Sequence, residues 1–325
     1  MQELNLSTFQ EQKMSRHDHN VMASLSDALT RYHSEQFRLP GIVNPAHKAV
    51  FIKQVIDSSR RVNYVSAIAQ KPINPNRADP NHDLFDPVKG ALLHKSSGDV
   101  DEACWLVFLF VHFGKHPRAG WRYIKEVYGK LGGQPYWSWV QINSNPQLFR
   151  DWLRANQAEI LRGTNRGFGN HRKYQSMDAD KPSGTGAAIQ SYVEWVMQYG
   201  GHQRLFQQAL NQSNGNPQNA FDWLYHSMNA VISFGRTAKF DYLTMLSKAG
   251  LVSIQPGLAY LNGATGPAIG ARLMLQGSVA TELSIIDMET RLKALAEYLG
   301  VGMQVIEDSL CNWQKSPSRY KLFSG

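Results

Sequence analysis

Apolar residues recur at three- and four-residue spacing along most of the chain, and this spacing predicts amphipathic α-helices. No segment shows the strict alternation of apolar and polar residues that is typical of a half-buried strand. The longest apolar run, residues 103–111, predicts a buried core helix, because it is far shorter than the roughly 20 residues of a membrane span. We therefore predict an all-α protein, with helices within residues 50–56, 121–131, 188–199, 220–232, 240–249, 269–275, 288–299 and 304–313.

Three polar segments interrupt the helical pattern. Residues 71–87 contain four prolines, residues 163–186 are rich in glycine and basic side chains, and residues 211–219 include Gly215 and Pro217. With 325 residues, the chain is long enough for one large or two smaller domains. We predict two helical lobes, residues 1–162 and 187–325, joined by the basic loop 163–186. A cleft between the lobes is where we expect a site to form.

Composition and charge narrow the class of partner. Hydrophobic residues make up 42% of the chain, enough for a sizeable core. The 34 Lys and Arg residues outnumber the 26 Asp and Glu residues, and the net charge of +8 favours a polyanionic partner such as DNA. The basic residues cluster at 166–174 and 235–239, and at Lys315, Arg319 and Lys321.

The sequence contains little indication of a metal or of secretion. Cys104 and Cys311 lie far apart and fit no metal-binding spacing, and His17 and His19 flank Asp18 without an evident third ligand. The amino terminus has no apolar segment followed by a cleavage site, so it does not look like a signal peptide. We expect a reduced, cytoplasmic, monomeric protein without a metal or cofactor.

A glycine-rich segment at residues 261–272 carries the most specific local pattern. It predicts a tight turn between two helices that presents backbone amides to a phosphate. A dinucleotide-binding loop is an alternative, but the glycine spacing differs, and the 55 residues after Gly270 are too few for further βα units. A purely structural turn also stays open. The predicted phosphate contacts in this segment are Gly263, Thr265, Gly266, Gly270 and Arg272.

Four motifs together carry a family resemblance. They are residues 168–174 (Phe-Gly-Asn-His-Arg-Lys-Tyr), residues 234–242 (Phe-Gly-Arg-Thr-Ala-Lys-Phe-Asp-Tyr), the glycine segment and residues 307–315 (Glu-Asp-Ser-Leu-Cys-Asn-Trp-Gln-Lys). They look like the α-glutamyl/putrescinyl thymine pyrophosphorylase family, its third clade in particular. The carboxyl-terminal third also resembles the helix-hairpin-helix superfamily of DNA glycosylases, with Asp287 where that family has its aspartate. The resemblance implies a helix-hairpin-helix glycosylase-like arrangement of the lobes.

The resemblance also implies an activity on modified bases of phage DNA. The family is associated with hypermodified thymines and includes a bacterial glycosylase that removes glucosylated hydroxymethylcytosine in defence against phage. We therefore predict a monofunctional DNA glycosylase that excises a glucosylated hydroxymethyl pyrimidine from a flipped nucleotide and leaves an abasic site. Two alternatives stay open. One is a transferase that displaces pyrophosphate from a pyrophosphorylated hydroxymethyl pyrimidine to install an amine, and the other is a DNA-binding module without catalysis.

The chemistry of base excision selects the catalytic candidates. Breaking an N-glycosidic bond makes the sugar oxocarbenium-like, so a carboxylate is needed beside the anomeric carbon. Asp287 is the first candidate, Asp241 the second and Asp308 a third. Asp287 could equally be a helix N-cap, since it precedes the pattern that starts at residue 288. No lysine follows the glycine turn directly, which predicts base release without strand cleavage. Lys239 is a candidate nucleophile, and a surface or phosphate-contacting lysine is the alternative.

The residues predicted to form the base pocket come from one motif, residues 168–174, and from one helix. A solvated basic loop is the alternative for the motif 168–174. Gln54 lies in a helix that resembles the glycosylase helix with a base-reading glutamine, and a solvent-facing glutamine is the alternative. Arg236 and Lys315 are predicted to contact DNA. The pocket residues predicted from the motif are Phe168, Asn170, His171, Arg172, Lys173 and Tyr174.

Overall fold

The computed structural model describes residues 16–162, 167–169, 172, 175–280 and 282–322, without the side chains of residues 16 and 17. Over these residues the protein has 14 α-helices and no β-strand, which confirms the predicted all-α class. In chain order the helices are α1 (Arg16–Glu35), α2 (Pro45–Ala69), α3 (Pro87–Ser96), α4 (Val100–Phe113), α5 (Arg122–Tyr128), α6 (Trp139–Ser144), α7 (Pro146–Leu161), α8 (Thr185–Met197), α9 (His202–Gln212), α10 (Pro217–Ser227), α11 (Arg236–Lys248), α12 (Gly266–Gln276), α13 (Ile285–Leu299) and α14 (Met303–Trp313).

The helix boundaries follow the local sequence. Asp86, Asp99, Asn145 and Asn216 each accept a hydrogen bond from a backbone N–H in the first turn of the helix that follows. Proline occupies the first helical position of α3, α7 and α10, where its missing N–H costs nothing. The proline-rich segment 71–87 contains only a single 3₁₀ turn, Pro75–Arg77, before α3 begins.

The chain folds into two compact units. Unit 1 consists of the described residues up to 62 and from 258 onward, and unit 2 consists of the described residues within 63–257. The boundaries of these units differ from those of the lobes 1–162 and 187–325 that the sequence predicts. The lobes and the cleft between them stay a prediction. Unit 1 is assembled from both ends of the chain, which a division in sequence order does not represent.

The core of unit 1 combines side chains from α1, α2, α12, α13 and α14. Phe51 of α2 meets Trp313 of α14 edge to face at a centroid distance of 5.6 Å, although 262 residues separate them in sequence. Tyr32 of α1 is fully buried, and its hydroxyl donates to the carbonyl of Arg291 on α13 at 2.7 Å. Further core members are Leu25, Leu29, Val55, Met274, Leu292, Leu295, Ile306 and Leu310.

Helix α4 forms the centre of unit 2. The predicted core run 103–111 lies within it, and Trp105 and Phe108 have no exposed surface. Phe108 stacks on Tyr192 of α8 at 3.8 Å between ring centroids and on Phe234 at 4.8 Å. A helix that is apolar on all sides is expected in the middle of a core, and the prediction of a buried helix is confirmed.

The glycine turn is not a short link that joins two helices directly, and this part of the prediction is wrong. Helix α11 ends at Lys248, α12 begins at Gly266, and residues 249–265 contain no helix. Buried Glu289 of α13 accepts hydrogen bonds from the backbone N–H groups of Ala259 and Leu261 at 2.8 and 2.6 Å. The buried carboxylate thus satisfies backbone donors that a helix would otherwise pair within itself.

No helix among the described residues is long and apolar enough to cross a membrane. The described residues also contain no group of three or more His, Cys, Asp or Glu side chains arranged to hold a metal ion. Asp18 of the amino-terminal His-Asp-His sequence pairs with Arg60 at 2.6 Å.

Candidate active site

Helix α11 in unit 2 positions three of the predicted site residues. Arg236, Lys239 and Asp241 lie within its first two turns, after Gly235 as the N-cap. Successive residues of an α-helix are rotated by about 100°, so the side chains of Lys239 and Asp241 leave different faces of the helix. They therefore have different partners.

Asp241 is paired with Arg172 of the predicted pocket motif. The Arg172 side chain is 9% exposed, and its Nε donates to the carbonyl oxygen of Val111 at 2.6 Å. Its Nη2 donates to Asp241 Oδ2 at 2.9 Å, and the Asp241 side chain is 43% exposed. A charge-assisted bond to an anchored guanidinium fixes the carboxylate in orientation while leaving part of it open to a ligand.

His112 lies near Arg172 in the interior, and Thr185 is hydrogen-bonded to His112. Burial, together with the nearby Arg172 charge, lowers the pKa of His112 to about 3, so the imidazole is neutral at physiological pH. Thr185 donates its hydroxyl proton to the carbonyl of Ser176, so its oxygen accepts from His112 Nε2 at 3.0 Å. Neither residue was selected from the sequence, since nothing local marks a histidine as buried.

Phe168 lies in the aromatic core. It is 7% exposed and contacts the rings of His112, Phe113 and Tyr123 at centroid distances of 5.2–6.0 Å. Little of the ring is open for stacking on a base. The predicted pocket residues Asn170, His171, Lys173 and Tyr174 lie outside the described residues.

Lys239 is buried, so the surface alternative for this lysine is wrong. It is 7% exposed, and its Nζ donates to Asn229 Oδ1 at 2.5 Å. The ammonium also lies 4.1 Å from the centroid of the Tyr225 ring. Burial lowers the pKa of Lys239 below its ordinary value.

In unit 1, the tip of the glycine segment is exposed, and its carboxyl-terminal end packs against α14. Gly263 is exposed and has φ of +74°, a left-handed conformation that glycine adopts without strain. Thr265 is exposed and stands at the N-cap of α12 without a side-chain capping bond. A Cβ at Gly266 would lie 2.7 Å from Cys311 Sγ, and a Cβ at Gly270 would overlap the carbonyl of Leu310. Packing of α12 against α14 accounts for both glycines, and their contact with phosphate stays a prediction.

Asp287 occupies the third position of α13 and is exposed. The hydroxyl of the N-cap residue Ser284 accepts from the Asp287 backbone N–H at 3.1 Å and donates to Asp287 Oδ2 at 2.7 Å. Ser284 rather than Asp287 is therefore the N-cap of α13. Asp308 accepts from Arg61 Nη2 at 2.7 Å on the surface of α14. A catalytic role for either aspartate stays a prediction.

The remaining predicted residues of unit 1 differ in exposure. Gln54 is 1% exposed and donates from Nε2 to the carbonyl of Lys321 at 2.8 Å, so the solvent-facing alternative is wrong. Arg272 is half-buried, and its Nε has no hydrogen-bond partner among the described residues. Lys315 is exposed just beyond α14, with its Nζ 3.0 Å from Asn312 Oδ1. Exposure makes Lys315 the more accessible of the two cations.

The predicted site residues fall on both units. Unit 2 brings Arg172 and Asp241 together and places Lys239 and Arg236 on the same helix as Asp241. Asp287, Gln54, Lys315 and the glycine turn belong to unit 1. Glu289 fixes the backbone before the glycine turn, but it was not selected from the sequence. Only its buried position distinguishes Glu289 from other helical glutamates.

A comparison with protein families identifies the chain. The model of the alpha-glutamyl/putrescinyl thymine pyrophosphorylase clade 3 family matches residues 46–325. The match covers most of the chain, so the protein belongs to this family, and the resemblance found in the sequence is confirmed. No curated protein and no solved structure gives a significant match. The family indicates an enzyme that acts on modified DNA bases.

Proposed function

We propose that the protein is a monofunctional DNA glycosylase that releases a modified pyrimidine, with Asp241 as the carboxylate that stabilises the sugar cation. The observation that carries this assignment is the Arg172–Asp241 pair. Arg172 is anchored to the backbone of α4 and holds one carboxylate oxygen, while the side chain of Asp241 remains 43% exposed. Preorganised charge of this kind stabilises a transition state without the cost of reorienting groups during the reaction.

The reaction has simple requirements. As the N-glycosidic bond breaks, its electron pair leaves with the base, which takes up a proton, and positive charge develops on the sugar. The Asp241 carboxylate faces this charge, and water adds to the anomeric carbon to give an abasic site. The nucleotide must first flip out of the base stack of the DNA, which costs a few kcal/mol of stacking and pairing free energy.

Asp241 is a better candidate than Asp287 for a physical reason. The Asp287 carboxylate interacts with the capping serine of its own helix and is open to solvent, which screens its charge. Asp241 lies against a buried guanidinium at the margin of an aromatic core, where electrostatic interactions are less screened.

The substrate class rests on the family and on the charge of the chain. Members of the clade are named for modified thymine, and the net charge of +8 suits a DNA partner. We propose glucosylated hydroxymethyl pyrimidine in phage DNA as the substrate and defence against phage as the role. Arg236, Lys315, Arg272 and the exposed tip of the glycine turn at Gly263 would contact phosphates.

The test uses unmodified, hydroxymethylated and glucosylated phage DNA, with free base and alkali-labile abasic sites measured. We expect release from glucosylated DNA alone. Asp241→Asn should lower kcat on the order of 10²–10³-fold with folding and DNA affinity retained. The matched variants Asp287→Asn and Asp308→Asn should stay near wild type. Loss of activity only in Asp287→Asn would transfer the role to that residue, and no release from any DNA would overturn the glycosylase.

The family description favours a second candidate function, the transferase. In this reaction an amine attacks the methylene carbon of a pyrophosphorylated hydroxymethyl pyrimidine in DNA, a C–N bond forms, and pyrophosphate leaves. Its signature is pyrophosphate release that depends on added amine, such as putrescine or glutamate, without free base. A further substrate, DNA that carries pyrophosphorylated hydroxymethyluracil, separates the two reactions.

A further inference from the structure

Lys239 is a buried cation whose described partners are both neutral. The Asn229 amide oxygen accepts a hydrogen bond from Lys239 Nζ at 2.5 Å, and the centroid of the Tyr225 ring lies 4.1 Å from Nζ. Within the described part of the chain, no carboxylate lies within ion-pair distance of Lys239. Burying an ammonium group without a neighbouring anion costs free energy, and an anionic ligand bound beside it would offset this cost.

The surroundings increase the positive potential near Lys239. The side chain starts in the first turn of α11, where unpaired amides carry positive partial charge, and that turn contains no acidic residue. Arg236, one turn earlier, lies 4.8 Å from the Phe240 ring and close enough to Tyr225 to oppose the burial that raises the pKa of that tyrosine. The acid facing Tyr225 is Asp222, which lies 3.5 Å from His226.

The contacts of Lys239 favour a cation over a nucleophile. Both the amide oxygen of Asn229 and the face of Tyr225 stabilise the charged ammonium, whereas a nucleophilic amine must be neutral. Asn229 is exposed, so the ammonium bound to it lies just below the surface. A lysine side chain is long enough to move outward from this position and meet a ligand.

We propose that Lys239, oriented by Asn229 and supported by Arg236 and the first turn of α11, binds a phosphoryl anion. Two sources have this chemistry: a pyrophosphate group, and a backbone phosphate of DNA. The inference concerns binding, so it holds for either reaction proposed above. It also assigns to Lys239 a role distinct from that of Asp241, two positions along the same helix.

The experiment measures anion binding to the full chain by calorimetry and thermal shift, with inorganic pyrophosphate, inorganic phosphate and an unmodified DNA duplex as probes. Lys239→Met should weaken binding of the relevant anion at least about tenfold, and Lys239→Arg should retain part of it. Lys248→Met removes a partly exposed lysine from the last turn of the same helix and serves as the matched control. Binding should weaken as the pH rises through the lowered pKa of Lys239, since only the ammonium binds the anion.

The two sources give different results. Binding of pyrophosphate without DNA identifies a pyrophosphate site. Lys239→Met could instead lower DNA affinity and make the slope of the logarithm of the binding constant against the logarithm of salt concentration shallower by about 1. Together with no pyrophosphate binding, this result identifies a backbone phosphate. Should Lys239→Met fail to fold, protection of Lys239 from reductive methylation by either anion in the wild type decides the question. Unchanged affinities in a folded variant, or no protection, overturn the proposal.

Discussion

Glu102 is a buried carboxyl group held by two donors. It is 4% exposed, and its oxygens accept from Tyr128 Oη at 2.7 Å and from the backbone N–H of Trp139 at 2.6 Å. Burial raises its pKa from 4.5 to about 7. The folded protein therefore binds a proton at Glu102 that the unfolded chain has released between these two values. This contribution to stability is complete below pH 4.5 and is lost as the pH rises through about 7.

We predict that Glu102→Gln removes this pH dependence. Glutamine resembles the protonated carboxyl group, so the free energy of unfolding of the wild type should fall relative to that of the variant by about 3 kcal/mol between pH 4.5 and pH 8. Urea unfolding at several pH values provides the measurement. The comparison between variants is needed because His112, with its pKa lowered to about 3, makes stability rise with pH over part of the same range. A difference independent of pH would contradict the prediction.

At the scale of helices, the contact between α12 and α14 depends on Gly270. A Cβ at this position would overlap the Leu310 carbonyl, which belongs to the backbone of α14 and cannot move aside alone. We predict that Gly270→Ala destabilises the protein by about 1–3 kcal/mol. Gly302→Ala is the control, because Gly302 has φ of −78° and no described atom within 4 Å of an added Cβ. Gly302 is the N-cap of α14, where alanine is less favourable than glycine, so the effect should stay below about 1 kcal/mol. Equal effects of the two substitutions in thermal unfolding would disprove the packing explanation.

Glu289 fixes the non-helical segment before the glycine turn, and its removal should loosen that segment. Glu289→Gln keeps the side-chain size but leaves one acceptor oxygen for the N–H groups of Ala259 and Leu261. A buried donor without a partner costs about 1–3 kcal/mol. We therefore expect faster native-state hydrogen exchange at these two amides. Glu297→Gln, an exposed glutamate on the same helix, should leave both rates unchanged.

For the whole molecule, the net charge of +8 makes DNA affinity a function of salt. The logarithm of the binding constant should fall linearly with the logarithm of salt concentration, with a slope proportional to the number of phosphates contacted. If Lys315 contacts a phosphate, Lys315→Ala should make this slope shallower by about 1. Lys293→Ala, which removes an exposed lysine of α13, is the control. A slope unchanged in both variants would remove Lys315 from the proposed DNA interface.

The helices themselves were largely predictable from the sequence. All eight predicted helical segments overlap helices of the structure, because apolar spacing and capping residues act within a few positions. The family was also within reach, since its motifs are short and contiguous. The helices α1, α3, α6, α7 and α9 were not predicted, because they are short or strongly polar or lie close to segments that resemble loops.

The candidate site was predictable only in part. The sequence selected Arg172 and Asp241 separately, but their pairing joins residues 69 positions apart. The burial of individual polar side chains could not be predicted from local sequence patterns. Lys239 and Gln54 resemble ordinary surface residues of polar helices until the elements packed over them are known.

The sequence by itself determined the all-α class, most helix positions, the basic charge and the family, because these depend on local spacing and composition. The tertiary structure alone decided that both ends of the chain build unit 1, that Gly270 serves packing, and that Glu102, Glu289 and Lys239 are buried. The physical reason is that desolvation and close contact depend on residues distant in the chain. These same long-range contacts set the pKa of Glu102 and leave Lys239 with neutral partners.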